Sequence, residues 1–482
     1  MYTFSSKLKT FSLVLMIIGI LGLGYGFLTA PKNIEDVEKI LAADAHGQHE
    51  ATAVHAENQS HPATEAKVGT DSATDTVHVA HDSTAVDTVA AAVAPVETHH
   101  AEAAPAHEDA HAAHQEHLTH VLHQLQNKPW SALYVACIFF LLISLGVLVF
   151  YGIQQVAQAG WSPVLFRVMQ GITAYLPWGS VIFFVLLIAC GLHLNHLFIW
   201  LDPEVVAHDK LIQNKAGYLN FPFWIIRAAI FLAGWNLYRY FSRKNCLAQD
   251  ESTDNSFYKK NFNISAMFLV FFIVSESIMS WDWIMSFDPH WFSTLFGWYV
   301  FASFFVSGIT TICMVTLYLK GKGYLEHVNT SHIHDLAKFM FGISVFWTYL
   351  WFSQFMLIWY ANIPEEVTYF VTRIELYNLP FFGAVAMNFV FPILILINTD
   401  FKRITWVLVM AGTVILFGHY VDFFNMIMPA TVGDQWFIGI PELGALCFFL
   451  GLFIYVVFTA LTKVPLLPKR NPFIEESKHF HY

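Results

Sequence analysis

Residues 262–291 read FNISAMFLVFFIVSESIMSWDWIMSFDPHW. Phe262 to Ser280 is apolar and long enough to cross a bilayer, which takes about 20 helical residues. The run contains Glu276 and is followed by Asp282, Asp288 and His290. Acidic groups in hydrocarbon are costly, so each is a candidate for function with a partner to be found. Trp281, Trp283, Trp291 and Phe292 suit the aromatic belt of a membrane–water interface. Acidic groups therefore gather where a long helix meets water, as one wall of a proton- or quinol-handling site would require.

The rest of the chain agrees with a membrane reading. Of 482 residues, 56% are hydrophobic and 13% are charged, against about a quarter charged in soluble domains. The net charge of −11 comes with no basic stripe, which excludes nucleic acid as a partner. The five cysteines, Cys137, Cys190, Cys246, Cys313 and Cys447, have no CxxC spacing. That excludes a CxxCH haem site and leaves no iron–sulfur framework. A bis-histidine haem would need facing imidazoles, and only His193, His196 and His419 lie in apolar runs.

Nine spans, the run from Phe262 to Ser280 included, are expected near 130–154, 177–200, 221–241, 262–282, 294–319, 337–361, 380–398, 404–427 and 439–462. Residues 11–30 are apolar for longer than the core of a usual signal peptide, so a retained helix is favoured over a cleaved leader. The expectation is an all-α integral membrane protein of about ten helices: residues 1–30 as the first, then an insertion over 31–128. A four-helix bundle over 129–284, a second over 285–428, and a last helix with its tail over 429–482 follow. Helices 2–5 and 6–9 would form a parallel repeat, with the first and last helices peripheral. Alternate loops carry Arg239, Arg243, Lys244, Lys259 and Lys260, then Lys320 and Lys322, then Lys402 and Arg403, then the tail lysines. By the positive-inside rule both termini are cytoplasmic, which for a bacterial chain means the inner membrane.

The insertion is rich in Ala, His, Thr, Glu and Asp and cannot bury a core. Near its end, histidines recur at helical spacing, and His107, His111 and His114 are weak metal candidates against a solvated, metal-free segment.

Depth sorts the polar residues of the spans. In the half away from the basic loops lie His193, His196, Asp202, Arg227, Glu276, Asp282, Asp288 and His290. Such a set suits quinol oxidation, because a quinol losing electrons needs an imidazole or carboxylate to take its protons. An Arg227–Glu276 structural ion pair is the competing reading. The second bundle repeats the theme with Gln354, Asn388, His419, Tyr420 and Asp422. Ser303, Ser307, Thr310 and Thr311 would extend a proton path, or else bond their own i−4 carbonyls.

The runs SESIMSWDWIMSFDPHWFSTLFGWYVFAS, FSQFMLIWYANIPEE, KVPLLPKRNPFIEES and AGYLNFPFWIIRAAIFLAGW resemble the NrfD / polysulfide reductase membrane-anchor family, in the form found in bacterial alternative complex III. The resemblance covers roughly residues 130–477 and leaves out the His-rich insertion. It implies a subunit of a quinol:cytochrome c (or oxidase) oxidoreductase with menaquinol or ubiquinol as substrate. It also implies a homologous membrane subunit, an iron–sulfur subunit and c-type cytochrome subunits as partners, with no haem or cluster in this chain. Within that frame the chain contributes a proton path and a quinol site, or serves as scaffold only. An independent secondary transporter is the third reading, disfavoured because no pair of Gly/Pro-interrupted short spans is present.

Overall fold

The computed structural model describes residues 2–42 and 106–481. Among the described residues every regular element is helical, and ten helices are long and apolar enough to cross a membrane. The protein is an all-α, multi-pass membrane protein. The spans are α1 (Ser6–Thr29), α2 (Ala106–Val156), α3 (Pro163–Gly191), α4 (Phe221–Gln249), α5 (Ser256–Trp283), α6 (Phe296–Gly321), α7 (Thr330–Ala361), α8 (Asn378–Leu396), α9 (Thr405–Val432) and α10 (Ile440–Leu461).

Two compact units are resolved by their internal contacts, residues 31–122 and the remainder. In the first, residues 34–42 are helical and the described end is the start of α2. The helix therefore begins at Ala106, well before residue 129, because the His/Ala-rich stretch has helical spacing and no breaker before Pro129. The side chains of His107 and His111 lie outside the described residues, and His114 is exposed. No group of three potential metal ligands occurs among the described residues.

In the larger unit α2 and α6 are the most enclosed helices, and they cross at two glycines. A Cβ on Gly146 would meet the Phe304 carbonyl at 2.6 Å, and one on Gly308 would meet Gly146 at 2.9 Å. Small residues are what let two backbones approach this closely in lipid. From that crossing α4 packs on α3 and α5, while α6 packs on α7 and α9, and α8 on α9. Basic residues collect at one end, the basic end, with both chain termini. There Thr3 bonds Tyr324 at 2.9 Å and Asn329 bonds the Phe480 carbonyl at 2.5 Å.

The first and last helices form an antiparallel pair. Gly19 faces Phe448, Gly22 faces Gly444, and Gly26 faces Pro441, so that a Cβ on Gly444 would meet Gly22 at 2.9 Å. Gly444→Leu is expected to cost about 1–3 kcal/mol by overpacking, seen as a lower thermal midpoint. Gly24→Ala is the control, since nothing lies within 4 Å of that position.

Candidate functional site

The first bundle's polar residues do not converge. Arg227 of α4 donates Nε to Asp282 Oδ2 at 2.6 Å and Nη2 to Oδ1 at 2.9 Å, a bidentate pair in which Asp282 is fully buried. The remaining guanidinium donors reach the Tyr218 carbonyl, and the cation stacks over Tyr218 at 4.0 Å and Phe223 at 4.3 Å. Glu276 is not part of this pair. It is buried on α5, bonded only to Ser277 at 3.4 Å, with Oε1 unpartnered. The ion pair of the competing reading forms with Asp282 as the acid in place of Glu276.

Nor do the histidines enter the bundle. α3 ends at Gly191, and His193 takes a left-handed backbone, φ 56°, in the exposed turn that follows. His196 is exposed too. Its ring stacks on His123 at 4.4 Å, Nδ1 lies 3.9 Å from Asp202, and its backbone is clamped on both sides by Asn127. Asp202 caps the short helix Pro203–His208. His290 sits in the loop beyond α5 and clasps a neighbouring loop, its Nε2 2.5 Å from Asp209. The Asp209 carboxyl is held below the usual range by the Ile212 N–H first and then by His290 and Leu211. Lys215 adds a 2.5 Å bond to the Pro289 carbonyl, so two loops at the end opposite the basic one are tied together.

The second bundle is different. Asp422 of α9 is 2% exposed and collects three donors from two other helices. Tyr299 of α6 donates to Oδ1, Ser303 of α6 donates to Oδ2 at 2.8 Å, and Trp347 of α7 donates to Oδ2 at 2.9 Å. Ser303 Oγ is also 2.9 Å from His419 Nδ1, and His419 Nδ1 is 3.8 Å from Asp422. Asp422 lies ten residues from the end of α9, roughly 15 Å at 1.5 Å per residue, well inside the span.

Two prolines shape the surroundings. Pro392 lacks the N–H that would serve the Asn388 carbonyl, and α8 widens there into a π turn over Ala386–Val390. This sets the Asn388 side chain against Gly418, beside His419, where a Cβ would meet Asn388 Oδ1 at 2.2 Å. Pro429 likewise leaves the Asn425 carbonyl without its i+4 partner. Arg373, from the helix Pro364–Glu375, takes that carbonyl with Nε at 3.0 Å and reaches the Met426 carbonyl at 3.5 Å.

Arg373 stands in the sequence as an isolated basic residue between α7 and α8. It is 4% exposed, it stacks on Tyr369 at 3.3 Å, and among the described residues it has no carboxylate within ion-pair distance. Burial lowers its ordinary value, while Tyr369, Tyr299, Tyr377 and Asp288 act the other way; an arginine stays charged throughout. Arg373, Tyr369, Asp288 and Trp291 line a cavity of about 90 Å³ at the end opposite the basic loops. That volume holds about three waters, and falls short of the roughly 150 Å³ cavity that takes one benzene ring.

A line of polar groups runs through α6, α8 and α9 nearby, though Tyr299 does not itself line the cavity. Tyr299 is followed by Asp422, Ser303, His419 and Asn388. His419 Nε2, both Asn388 amide atoms, Thr310 Oγ1 and Ser344 Oγ are buried without a protein partner. Buried polar atoms are almost always satisfied, by water where protein does not serve. Ser307 and Thr311 instead bond their own i−4 carbonyls at 2.8 Å, the structural alternative for those two. Tyr420 packs edge-on against Phe139 and Gln354 sits on α7 with Nε2 unpartnered, so neither joins the Asp422 group directly.

Fold and geometry together define a multi-pass helical membrane protein in which α9 carries a buried carboxylate that accepts from three side chains of other helices. No family model matches the sequence, and no curated protein does.

Proposed function

We propose that this chain is the proton-conducting membrane subunit of a quinol-oxidising electron-transfer complex of the alternative complex III type, in the bacterial inner membrane with both termini cytoplasmic. One observation carries the reading: Asp422, well inside the span of α9, is joined by Tyr299, Ser303 and His419 beside a row of unpartnered polar atoms. A carboxylate with hydroxyl and imidazole neighbours can take and give a proton, and it needs water on both sides to pass one on.

In this reading protons move between Asn388 and the Arg373 cavity through His419, Ser303, Asp422 and Tyr299. Quinol oxidation is assigned in this reading to the homologous membrane subunit, because Arg227 here is saturated by Asp282. Electrons leave through iron–sulfur and c-haem partners. The locked Arg227–Asp282 pair favours a scaffold role for the first bundle.

A map of the intact assembly that resolves ordered water is the test. Waters at hydrogen-bond spacing from Tyr369 to Asn388 are expected. Continuous side-chain packing across that line, with no water between Asp422 and either end, overturns the path.

A further inference from the structure

The basic end holds a cleft that the proton path does not use. It opens between α3, α4 and α10, has a volume of about 390 Å³, and is lined by Trp178, Arg239, Arg243, Tyr455, Thr459 and Lys463 among others. Its lining contains three cations and no carboxylate. Arg239 and Arg243 are four residues apart on α4, so like charges share one helix face, an unfavourable arrangement on its own. Among the described residues none of the three cations has a carboxylate within 4.0 Å. Arg243 has only the Gln170 carbonyl at 3.3 Å, and Arg239 Nε is buried with no partner. The neighbouring Asp250 is already taken, 2.5 Å from Arg167.

Three uncompensated cations at the end of a membrane bundle call for an anion from outside the chain. Their position and company say which kind. Lys463 lies two residues beyond the end of α10, at headgroup level. Trp178 is 61% exposed and Tyr455 stands across the cleft, with Val456 and Ala460 continuing the wall along α10. Aromatic rims flanking a basic floor and an apolar wall match a lipid's phosphate, glycerol and acyl chains in turn.

We propose that this cleft binds an anionic phospholipid, with Arg239 and Arg243 on the phosphate, Lys463 at its rim, and Trp178 and Tyr455 beside the glycerol. Three positive charges are best balanced by a headgroup carrying two phosphates. The lipid would bridge α4 of the first bundle to α10, helices about 200 residues apart in the sequence.

The experiment uses the full chain in its native assembly, delipidated by detergent and re-exposed to equal amounts of cardiolipin and phosphatidylcholine, with bound lipid read by native mass spectrometry. Wild type is expected to keep cardiolipin selectively. The variant Arg239→Gln/Arg243→Gln is expected to lose roughly 30-fold in retention, about fivefold per charge, while Arg239→Lys/Arg243→Lys keeps most of it. Equal retention of the two lipids by wild type, or unchanged retention by the glutamine variant, overturns the proposal. Release of the lipid by millimolar inorganic phosphate overturns the lipid assignment in favour of a soluble-phosphate site. Should the glutamine variant fail to assemble, the wild-type competition decides alone.

Discussion

Asp422→Asn is expected to cut proton translocation per quinol oxidised by on the order of 100-fold, the scale of a positioned acid–base group, while assembly stays near normal. The separation follows from the hydrogen bonds. The introduced carboxamide could keep its oxygen where Oδ2 accepts from Ser303 and Trp347, and turn its NH₂ toward Tyr299, whose hydroxyl can accept. One hydrogen bond is reversed rather than lost, so the cost to the fold is about 1 kcal/mol. What disappears is the ability to exchange a proton. The measurement is proton release after a quinol pulse in vesicles holding the whole assembly, with quinol turnover followed in parallel. Glu276→Gln is the comparison: that carboxyl touches only Ser277, and its replacement is expected to leave release within about twofold of wild type. Normal proton release from Asp422→Asn would remove the second bundle from the path.

Much of this site can be read from the residues before any coordinates. His419 and Asp422 stand out because ionisable groups are expensive in a span, and the ten spans follow from run length. The stop after α7 is equally plain: Asn362 takes a left-handed φ of 50° and Pro364 opens the next helix, the order of residues that ends helices. What depth alone does not give is direction around the helix. Glu276 and Asp282 are six residues apart, about 120° around α5 at 100° per residue, so one arginine reaches one of them. Arg227 reaches Asp282, and the pooled outer-half cluster dissolves. His193 and His196 fail for another reason. The apolar run continues to Trp200, but the helix stops at Gly191, and hydropathy does not distinguish a helix from a buried turn. Arg373 was hidden because its partners are backbone carbonyls. The signal was Pro429, which frees the Asn425 carbonyl one helix away in a manner no side-chain pattern records.

Breaking the Arg227–Asp282 pair from either side is expected to cost about 3–5 kcal/mol, the largest stability effect of any single change here. Asp282 is fully buried, so Asp282→Ala leaves a guanidinium facing a void with only the Tyr218 carbonyl to hold it. Arg227→Met leaves the Asp282 carboxylate without its cation and takes the guanidinium away from the Tyr218 and Phe223 rings, while Trp224 still donates to the Asp282 backbone carbonyl. The double variant Arg227→Met/Asp282→Leu removes both charges and keeps volume, and buried pairs replaced in this way are often neutral to stability. A double-mutant cycle on thermal or denaturant unfolding in detergent therefore separates two readings of the first bundle. A coupling energy of several kcal/mol, with proton release intact in the double variant, makes the pair a helix clamp. Loss of proton release in a double variant that folds as well as wild type would give Asp282 a part in proton movement and draw the first bundle into the path.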